Sequence, residues 1–490
     1  MNTPPPRIPP TIPATLLIAV AIVLPACTTG PDYERPDLKD QTPGAWLDRD
    51  PNREADQRIA TDITRWWANL NDPELSTLIE QALTQSLDLA KARERIITAR
   101  ARRGIANADR LPTLDAQASY ERIEIGDDGF ILGAPTSVGA DIYSLGAVAG
   151  WELDLWGRVD RLVEAADADI QFAVEDFRAA RIALAAEVAR EVILIRTTDR
   201  QLAIVEGTIE ADTDSLSIAR ARADAGFGDE LDAARASRVL EANRALIPTL
   251  RADRREAELR LATLLAARPG EVAVESRPLP DRSIVPALGV PADLLLRRPD
   301  LRRAERELGA ATARIGAAEA GRFPRVALSG SIALQGPDIG DTLNPDAYIL
   351  SAGPTITLPI FQGGRITAGI EQAESQQRQA LFRLQATTLA AFAEVETAAI
   401  RRTRAEERVA NLGNAEAAAN DAEALALALY EAGQVDFLEV TEARRERLAI
   451  ERDRTLAERE AILRLIDLYT ALGGGWQPDQ DQSQADATPR

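Results

Sequence analysis

The chain has 490 residues and a formal net charge of −20, with no histidine and a single cysteine. Hydrophobic residues make up 45% of it, but only 4% of the residues are aromatic. The acidic balance argues against nucleic acid as a partner, because nucleic acid is bound through basic patches. The absence of histidine excludes imidazole bases, Ser-His-Asp triads and histidine metal sites, and one cysteine cannot form an internal disulfide. We therefore expect neither an enzyme nor a bound cofactor.

The N-terminal residues have the pattern of a secretory signal peptide. An apolar run at 11–26 follows Arg7 and is too short to cross a bilayer as a stable helix. Cys27 comes directly after it, an arrangement that resembles the signal of a bacterial lipoprotein, in which this cysteine is acylated. Under this resemblance, Thr28 in place of an aspartate indicates export to the outer membrane. An ordinary signal peptide and a buried thiol are the alternatives. We predict that residues 1–26 are removed and that Cys27 anchors the chain in outer-membrane lipid.

Landmarks of the first half of the chain recur in the second half. Three pairs are 207 residues apart and one proline pair is 212 residues apart: Gly157 and Gly364, Arg158 and Arg365, Gly226 and Gly433, and Pro112 and Pro324. Equal offsets of this kind indicate the duplication of a large unit rather than a short-period solenoid. The predicted segments are an N-terminal equatorial segment at 27–68, repeat 1 at 69–265, an equatorial linker at 266–292, repeat 2 at 293–472, and a polar, disordered tail at 473–490.

Each repeat contains two segments in which apolar and polar residues alternate. They cover 113–121 and 143–153 in repeat 1, and 326–334 and 348–360 in repeat 2. Alternation over about ten residues fits a strand with one face in lipid and the other in water. A hairpin over a globular core is the alternative, but the secretory signal and the lack of another core favour the membrane.

The number of predicted strands bears on assembly. Four strands cannot close a barrel with a usable lumen, which takes about eight or more strands. An open sheet edge in lipid would leave backbone N–H and C=O groups without hydrogen-bond partners. The chain must therefore associate with copies of itself, and three chains would supply twelve strands.

Long helices are predicted to follow the strands. No proline occurs at 159–223 or 366–432, so each helix would contain roughly 65 residues and extend about 100 Å. Globular domains have no room for such helices, whereas coiled coils and periplasm-spanning tubes do. Each repeat also begins with a helix, predicted at 73–110 in repeat 1. Each ends with a return helix after a glycine-containing turn, at 229–265 and 436–472.

Five segments of the chain carry a family pattern: CTTGPDYERP at 27–36, WWANLNDPELSTLIEQAL at 66–83, WELDLWGR at 151–158, LLRRPDLRRAERELGAATARIGAAEAGRFP at 295–324 and LGGGW at 472–476. They resemble the TolC-like outer-membrane factors, and among them the lipoproteins of drug-efflux systems. The resemblance implies an α+β fold in a homotrimer, with a twelve-stranded β-barrel in the outer membrane, a long α-helical barrel in the periplasm and an equatorial collar. It also implies a passive duct that works with a periplasmic adaptor protein and an inner-membrane pump of the resistance-nodulation-division type.

The segment YEAGQVDFLEVTEA at 430–443 resembles the family's periplasmic tip, where the channel narrows. Family members carry acidic residues here, and the matching positions are Glu439 and Glu442. Their spacing of three places both on one helix face, so in a trimer each would form a ring of carboxylates that selects cations. Tyr430 matches a tyrosine that helps to lock the closed state in some relatives, whereas the arginine of that lock is replaced by Val435. A solvated pair of glutamates is the alternative.

Glycines and prolines mark the expected turns and junctions. Gly226 and Gly433 match the turns of the tip, where the helix reversal needs left-handed backbone geometry and where contact with the adaptor is expected. Four further residues are expected at the junctions between strands and helices: Pro112, Gly157, Pro324 and Gly364.

Efflux of small toxic molecules is the leading function. The exit duct of a type I protein secretion system is an alternative in the same family, and the lipoprotein-like N-terminus favours efflux. A periplasmic coiled-coil lipoprotein without a pore would explain the cysteine and the helices but not the alternating strands. The lack of histidine and of phosphate-binding or metal motifs argues against an enzyme.

Overall fold

The computed structural model describes residues 28–38, 41–46, 62–125, 130–131, 134–135, 138–226, 229–288 and 291–477. The predicted signal peptide, Cys27 and residues 478–490 of the predicted tail lie outside these residues. The prediction of disorder was wrong for residues 473–476 of that tail, which are buried because the indole of Trp476 is packed in the chain and donates to the carbonyl of Arg297 at 3.1 Å. The chain divides into two compact units. Unit 1 contains the residues up to Arg35 together with Thr98–Gln171 and Arg306–Phe382, and unit 2 contains the remainder.

Both repeats follow the order helix, two strands, long helix, return helix. The helices are α1 (Pro73–Gln85), α2 (Leu87–Ala108), α3 (Arg158–Asp224), α4 (Glu230–Arg244), α5 (Leu246–Leu264), α6 (Leu294–Arg297), α7 (Pro299–Glu319), α8 (Ile339–Thr342), α9 (Arg365–Glu431) and α10 (Phe437–Ala471). The long strands are β1 (Thr113–Ile125), β2 (Val138–Leu153), β3 (Arg325–Gly336) and β4 (Tyr348–Thr357). Shorter elements are the 3-10 helices Trp66–Leu70, Pro291–Asp293 and Ala320–Arg322, and the paired segments Phe130–Ile131 and Ala134–Pro135.

Two of the predicted helices are interrupted, so their prediction as single helices was wrong. The helix predicted at 73–110 is broken at Ser86, whose ψ of 129° is extended and whose hydroxyl accepts a hydrogen bond from the first turn of α2. The return helix predicted at 229–265 is broken at Ala245. Pro248 causes this break, because it cannot donate to the carbonyl four residues earlier and its ring clashes with that carbonyl.

The long helices α3 and α9 each contain 67 residues without interruption. At 1.5 Å per residue, each extends about 100 Å. Their ends lie within one residue of the bounds predicted from the sequence, because proline is absent from both. None of the described helices, these two included, is apolar enough over a sufficient length to cross a membrane.

The four long strands form one antiparallel sheet in the order β1-β2-β3-β4, with β1 and β4 at its edges. The register places Tyr120 of β1 opposite Tyr143 of β2. Strand β1 extends to Ile125, beyond the predicted end at residue 121. Strand β4 ends at Thr357 rather than at residue 360, because Pro359 has no N–H group to donate to a neighbouring strand.

The register brings the apolar side chains of all four strands onto one face. In one row, four residues lie opposite one another on successive strands: Ala116, Ala147, Ile332 and Leu350. Ile332 is 50% exposed and Leu350 is 68% exposed, so this apolar face is uncovered in the single chain. The adjacent row on the other face is mostly polar and contains Asp115, Val148, Ser331 and Ser351. The predicted alternation is therefore confirmed across the sheet.

The core of unit 2 combines aromatic rings with a buried ion cluster. Trp66 is fully buried and stacks on Tyr469, with 5.8 Å between the ring centroids. The buried guanidinium of Arg196 donates to Asp72 at 3.2 Å and to Glu74 at 2.8 Å. Because Asp72 also caps α1, these bonds fix the start of repeat 1 against the middle of α3.

Candidate functional site at the helix turns

The turn between α9 and α10 reverses the chain at Gly433. The φ angle of Gly433 is +72°, in the left-handed region that glycine adopts without a side-chain penalty. Its N–H donates to the carbonyl of Tyr430, and the N–H of Gln434 donates to the carbonyl of Leu429, both at 2.9 Å. This pair of bonds is a Schellman motif, which satisfies the last carbonyls of α9.

The turn between α3 and α4 has a similar plan. Gly226 has a φ of +75°, and its N–H donates to the carbonyl of Ala223 at 3.0 Å. Asp229 caps α4 by accepting a hydrogen bond from the N–H of Leu231 at 3.0 Å. Residues 227–228 lie outside the described residues. Both repeats therefore reverse direction at a left-handed glycine.

A set of apolar residues, the tip cluster, joins the two turns. Its buried members are Leu216, Ala219, Ala236, Leu240, Tyr430, Phe437 and Val440. Tyr430 is 7% exposed, and its ring centroid lies 5.3 Å from that of Phe437. The Cζ atom of Arg222 lies 4.5 Å from the centroid of the Tyr430 ring, a cation–π contact. Tyr430 thus packs inside the single chain and holds the end of α9 against α3.

A recess of about 420 Å³ lies between the two turns. Its polar lining comes from both repeats and includes Arg222, Asp229, Asp232, Gln434 and Asp436. A recess with several polar groups is suited to ordered water rather than to an apolar ligand. Within the described residues, no group of histidine, cysteine, aspartate and glutamate side chains is arranged to hold a metal ion.

The two glutamates proposed for the gate lie on α10, just after the turn. Glu439 is in the first turn of the helix, and Glu442 follows one turn later on the same face. Both side chains are exposed in the single chain. The fold therefore presents both carboxylates at the surface of the tip, where a second chain can approach them.

A second group of charged residues, the arginine cluster, was not predicted from the sequence. Arg444 donates to Oε1 of Glu423 at 2.8 Å, to Oγ of Ser215 at 2.6 Å and to the carbonyl of Ala211 at 3.1 Å. Arg447 binds the other carboxylate oxygen of Glu423. The cluster therefore ties α3, α9 and α10 together beyond the apolar tip cluster.

The arginine cluster controls the charge of Glu423. Burial alone would raise the pKa of this carboxyl group, but the hydrogen bonds and charges of Arg444 and Arg447 outweigh burial and lower the pKa. Sequence analysis missed the pair because Glu423 and Arg444 are 21 residues apart on two helices. Their equivalents in repeat 1, at the offset of 207 residues, are Leu216 and Ser237. The replacement of two uncharged residues by an oppositely charged pair in repeat 2 is the feature of the sequence that could have indicated this contact.

The residues predicted at strand and helix junctions all lie at element ends. Pro112 and Pro324 directly precede β1 and β3, and Gly157 and Gly364 directly precede α3 and α9. The φ angles of the two glycines are +72° and +83°. A Cβ atom on Gly157 would lie 2.8 Å from Cγ2 of Thr28, whereas one on Gly364 would meet no atom within 4 Å. The two junctions share a backbone conformation but differ in their packing.

Comparison with known proteins identifies relatives along nearly the whole chain. The outer membrane efflux protein family matches residues 78–267 and 290–474, one match in each repeat. The chain is 34% identical over 469 residues to the outer membrane protein OprJ of Pseudomonas aeruginosa, covering 94% of this chain and 95% of that protein. It is 33% identical over 470 residues to the toluene efflux pump outer membrane protein TtgI of Pseudomonas putida, covering 94% and 98%.

A solved structure gives the same result for the fold. The outer-membrane channel OprN superposes with a TM-score of 0.83 at 33% identity, covering 92% of this chain and 100% of the OprN chain. The two family matches also confirm the internal repeat. The chain belongs to the outer membrane efflux protein family, and it is an outer-membrane channel of a Gram-negative bacterium rather than an enzyme.

Proposed function

We propose that this channel releases small toxic compounds that it receives from an inner-membrane pump of the resistance-nodulation-division type through a periplasmic adaptor. The proposal rests on one observation: the chain combines a four-stranded sheet with a continuous apolar face and two helices of 67 residues. Three chains supply twelve strands, so that β1 of one chain can pair with β4 of the next and no edge remains in lipid.

Small molecules are the preferred cargo. The relative TtgI is named for a toluene efflux pump, and its sequence aligns with 94% of this chain. Aromatic solvents are small, apolar and toxic to membranes, so a passive duct of this length suits their release beyond the outer membrane. Protein secretion remains the alternative within the family, while a non-pore structural lipoprotein does not account for the sheet with its uncovered apolar face.

We further propose that the tip formed by the two turns is the gate and the place of adaptor contact. Glu439 and Glu442 would each form a ring of three carboxylates around the axis of the trimer, and such rings select cations. The exposure of both side chains just after Gly433 supports this role. The adaptor would bind around Gly226 and Gly433, and Tyr430 would hold the closed tip by keeping α9 packed on α3.

Single-channel conductance in a planar bilayer tests the duct and the gate together. The comparison is between wild type and the double variant Glu439→Gln/Glu442→Gln, which keeps side-chain size and removes charge. We expect a small, cation-selective conductance in wild type and a loss of most of the selectivity in the variant, because the rings supply the negative potential.

The matched control is Glu371→Gln/Glu374→Gln, a pair with the same spacing near the opposite end of α9. We expect the control to retain the selectivity of wild type. If the trimer of the gate variant conducts with unchanged selectivity, Glu439 and Glu442 do not form the gate, but the channel is still a duct. Outer membranes that contain the chain only as a monomer would contradict the duct itself.

A further inference from the structure

The apolar face of the sheet becomes charged near the hairpin end of β1 and β2. Toward this end, the residues that lie opposite one another on that face are Ala118 and Leu145, then Tyr120 and Tyr143, then Arg122 and Asp141. The hydroxyl of Tyr120 donates to the carboxylate of Asp141 at 2.9 Å, and Arg122 forms an ion pair with Asp141 at 3.4 Å. Tyrosines with the hydroxyl toward charged groups and the ring toward apolar ones are typical of the membrane–water interface. The tyrosine pair therefore marks one boundary of the membrane.

Trp151 marks the other boundary. It lies on the same face of β2, eight residues after Tyr143, and is 37% exposed. This length of strand extends about 26 Å, which is about 20 Å across the membrane at a tilt of about 40°. The apolar band of outer-membrane barrels is similar, about 25 Å tall, and aromatic residues flank it on both sides. Because α3 begins shortly after Trp151 and the helices extend into the periplasm, the tyrosine pair lies at the extracellular boundary.

The loop between β3 and β4 folds onto the apolar face at the same level. Gly336 lies opposite Tyr143, and a Cβ atom on Gly336 would lie 2.6 Å from the backbone nitrogen of Thr342, the last residue of α8. The hydroxyl of Thr342 lies 3.3 Å from the carbonyl of Tyr143, and this threonine is only 5% exposed. Gly336 is on the same face as Ile332, because an even number of residues separates them in β3. The helix α8 therefore packs on the outer surface of the sheet, where a glycine leaves room for it.

An open groove of about 390 Å³ lies between α8 and the tyrosine pair. Its lining is mostly apolar and comes from β1, β2 and the β3–β4 loop: Ala118, Ser119, Tyr120, Tyr143, Ser144, Leu145, Ile339, Thr342 and Leu343. Ile339 is 64% exposed and Leu343 is 60% exposed. Two large apolar side chains in an extracellular loop gain nothing from contact with water, whereas contact with hydrocarbon would stabilise them. The chemistry of the groove thus suits an apolar chain.

We propose that this groove holds one acyl chain of a lipid of the outer membrane, at the extracellular boundary of the bilayer. The groove is continuous with the apolar face of the sheet, which lies against lipid in an outer-membrane channel, so the bilayer supplies the occupant directly. The acyl chain would lie on Ala118 and Leu145, with the tyrosine rings on one side and Ile339 and Leu343 on the other.

Charged residues of the loop limit the depth of α8. Asp338 caps this helix by accepting a hydrogen bond from the N–H of Asp341 at 2.9 Å, and both aspartates are exposed. Carboxylates are costly in hydrocarbon, so they stay on the water side while Ile339 and Leu343 contact lipid. The loop is then a membrane-contacting part of the channel, and each trimer has three such grooves.

Native mass spectrometry of the full-length trimer tests the groove. The trimer is purified in a nonionic detergent and mixed with palmitoyl-oleoyl phosphatidylethanolamine, which has no net charge, so that binding depends on the acyl chains. In wild type we expect up to three tightly bound lipids per trimer, one for each groove. The variant Ala118→Phe fills the floor of the groove with a ring. It should bind these lipids about tenfold more weakly, the effect of losing burial of about two methylene groups.

The matched control is Ala352→Phe. Ala352 lies on the apolar face of β4, the other edge strand, and it does not line the groove. The same substitution there should leave lipid binding as in wild type. Equal lipid retention by wild type and Ala118→Phe, or a wild-type trimer that retains no lipid, would overturn the proposal.

A second variant keeps the test open if Ala118→Phe does not assemble. Ile339→Asn/Leu343→Asn removes the apolar wall of the loop and leaves every strand unchanged. We expect this variant to be trimeric and to lose the tightly bound lipids, and undiminished retention would contradict the groove. If wild type forms pairs of trimers that Ala118→Phe separates, a second copy of the chain occupies the groove and the lipid proposal is wrong.

This inference goes beyond the proposed function and does not depend on the cargo, the gate or the adaptor. Lipid retention reports the groove on the outer surface, whereas single-channel selectivity reports the acidic residues at the tip. A trimer that binds three lipids in wild type and loses them in Ala118→Phe supports the groove whatever compounds the channel releases.

Discussion

The two strand-to-helix junctions share a duplicated backbone conformation but are packed differently. At Gly157 the turn is packed against Thr28 of the same chain. At Gly364 an added Cβ atom would meet no atom within 4 Å, and the neighbouring side chains Ile360 and Phe361 are 92% and 87% exposed. Since the second junction follows the edge strand β4, the next copy in the trimer can pack against these exposed side chains. One junction is completed within the chain, and the other is left for assembly.

The repeats differ at the tip in a related way. Repeat 2 holds its return helix with the charged pair of Glu423 and Arg444, at 2.8 Å. The equivalent positions of repeat 1 are Leu216 and Ser237, and Leu216 belongs to the apolar tip cluster. Repeat 1 therefore depends on apolar packing where repeat 2 depends on hydrogen bonds between charged groups, and the two respond differently to acid.

Charging the exposed junction is expected to have the largest effect. The variant Ile360→Asp/Phe361→Asp would place two carboxylates in the contact expected with the next copy, where apolar burial would contribute about 3–6 kcal/mol at each interface. We expect monomers instead of trimers, as measured by size-exclusion chromatography with light scattering. The control Ile339→Asp alters a side chain of the β3–β4 loop that is 64% exposed, and it should remain trimeric. Survival of the trimer in the double variant would mean that no neighbour covers this junction.

Adding a single methyl group at either junction should destabilise the protein to an intermediate extent, and more at Gly157 than at Gly364. Gly157→Ala adds strain at a positive φ to a clash with Thr28, and we expect it to lower the free energy of unfolding by about 2–4 kcal/mol. Gly364→Ala adds only the strain in the single chain, about 1–2 kcal/mol. Thermal unfolding followed by circular dichroism measures both. Gly104→Ala, inside α2 with open space around it, is the control without a clash, and it should raise the free energy of unfolding by about 0.5–1 kcal/mol because alanine is the better helix former. Equal losses would indicate that a neighbouring chain crowds Gly364 as closely as Thr28 crowds Gly157.

Removing the charged pair at the tip should have the smallest effect, and one that depends on pH. Arg444→Met is expected to cost about 1–2 kcal/mol at pH 7, because Glu423 loses a charged hydrogen-bond donor. The folded-state pKa of Glu423 is depressed, so this stabilisation is present above the unfolded pKa of about 4.3 and is lost as pH falls through the folded value. The difference from wild type in thermal midpoint should therefore shrink below about pH 4.

The control for the tip pair is Arg404→Met. Arg404 pairs with Glu407 at 2.8 Å, but the two side chains are 69% and 53% exposed, so its loss should change the midpoint little. A pH-independent effect of Arg444→Met would assign the contribution of Arg444 to packing rather than to charge.

Some of these features could be predicted from the sequence, and the reason is local periodicity. Alternate side chains of a strand lie on opposite faces, so the shared apolar face of Ile332 and Leu350 follows from alternation alone. Their position opposite one another depends on the register of β3 and β4, which alternation does not give. The contacts of Thr29 could not be predicted, because its partners Trp156 and Gly316 lie 127 and 287 residues away. Ser86 also gave no clear signal, because a serine within an apolar helical pattern is compatible with both a continuous helix and a capped break.

The equal lengths of α3 and α9 limit how such a chain can change during evolution. Deleting one residue from either helix would turn everything beyond it by about 100° and shorten it by about 1.5 Å. The two 67-residue helices would then differ in length, and the turns at Gly226 and Gly433 would no longer lie side by side. The offset between the repeats falls from 212 residues at Pro112 to 207 residues at Gly157, across a stretch that contains the hairpin loop. Insertions and deletions are therefore expected to accumulate in the hairpin loops, while the helices keep a fixed count.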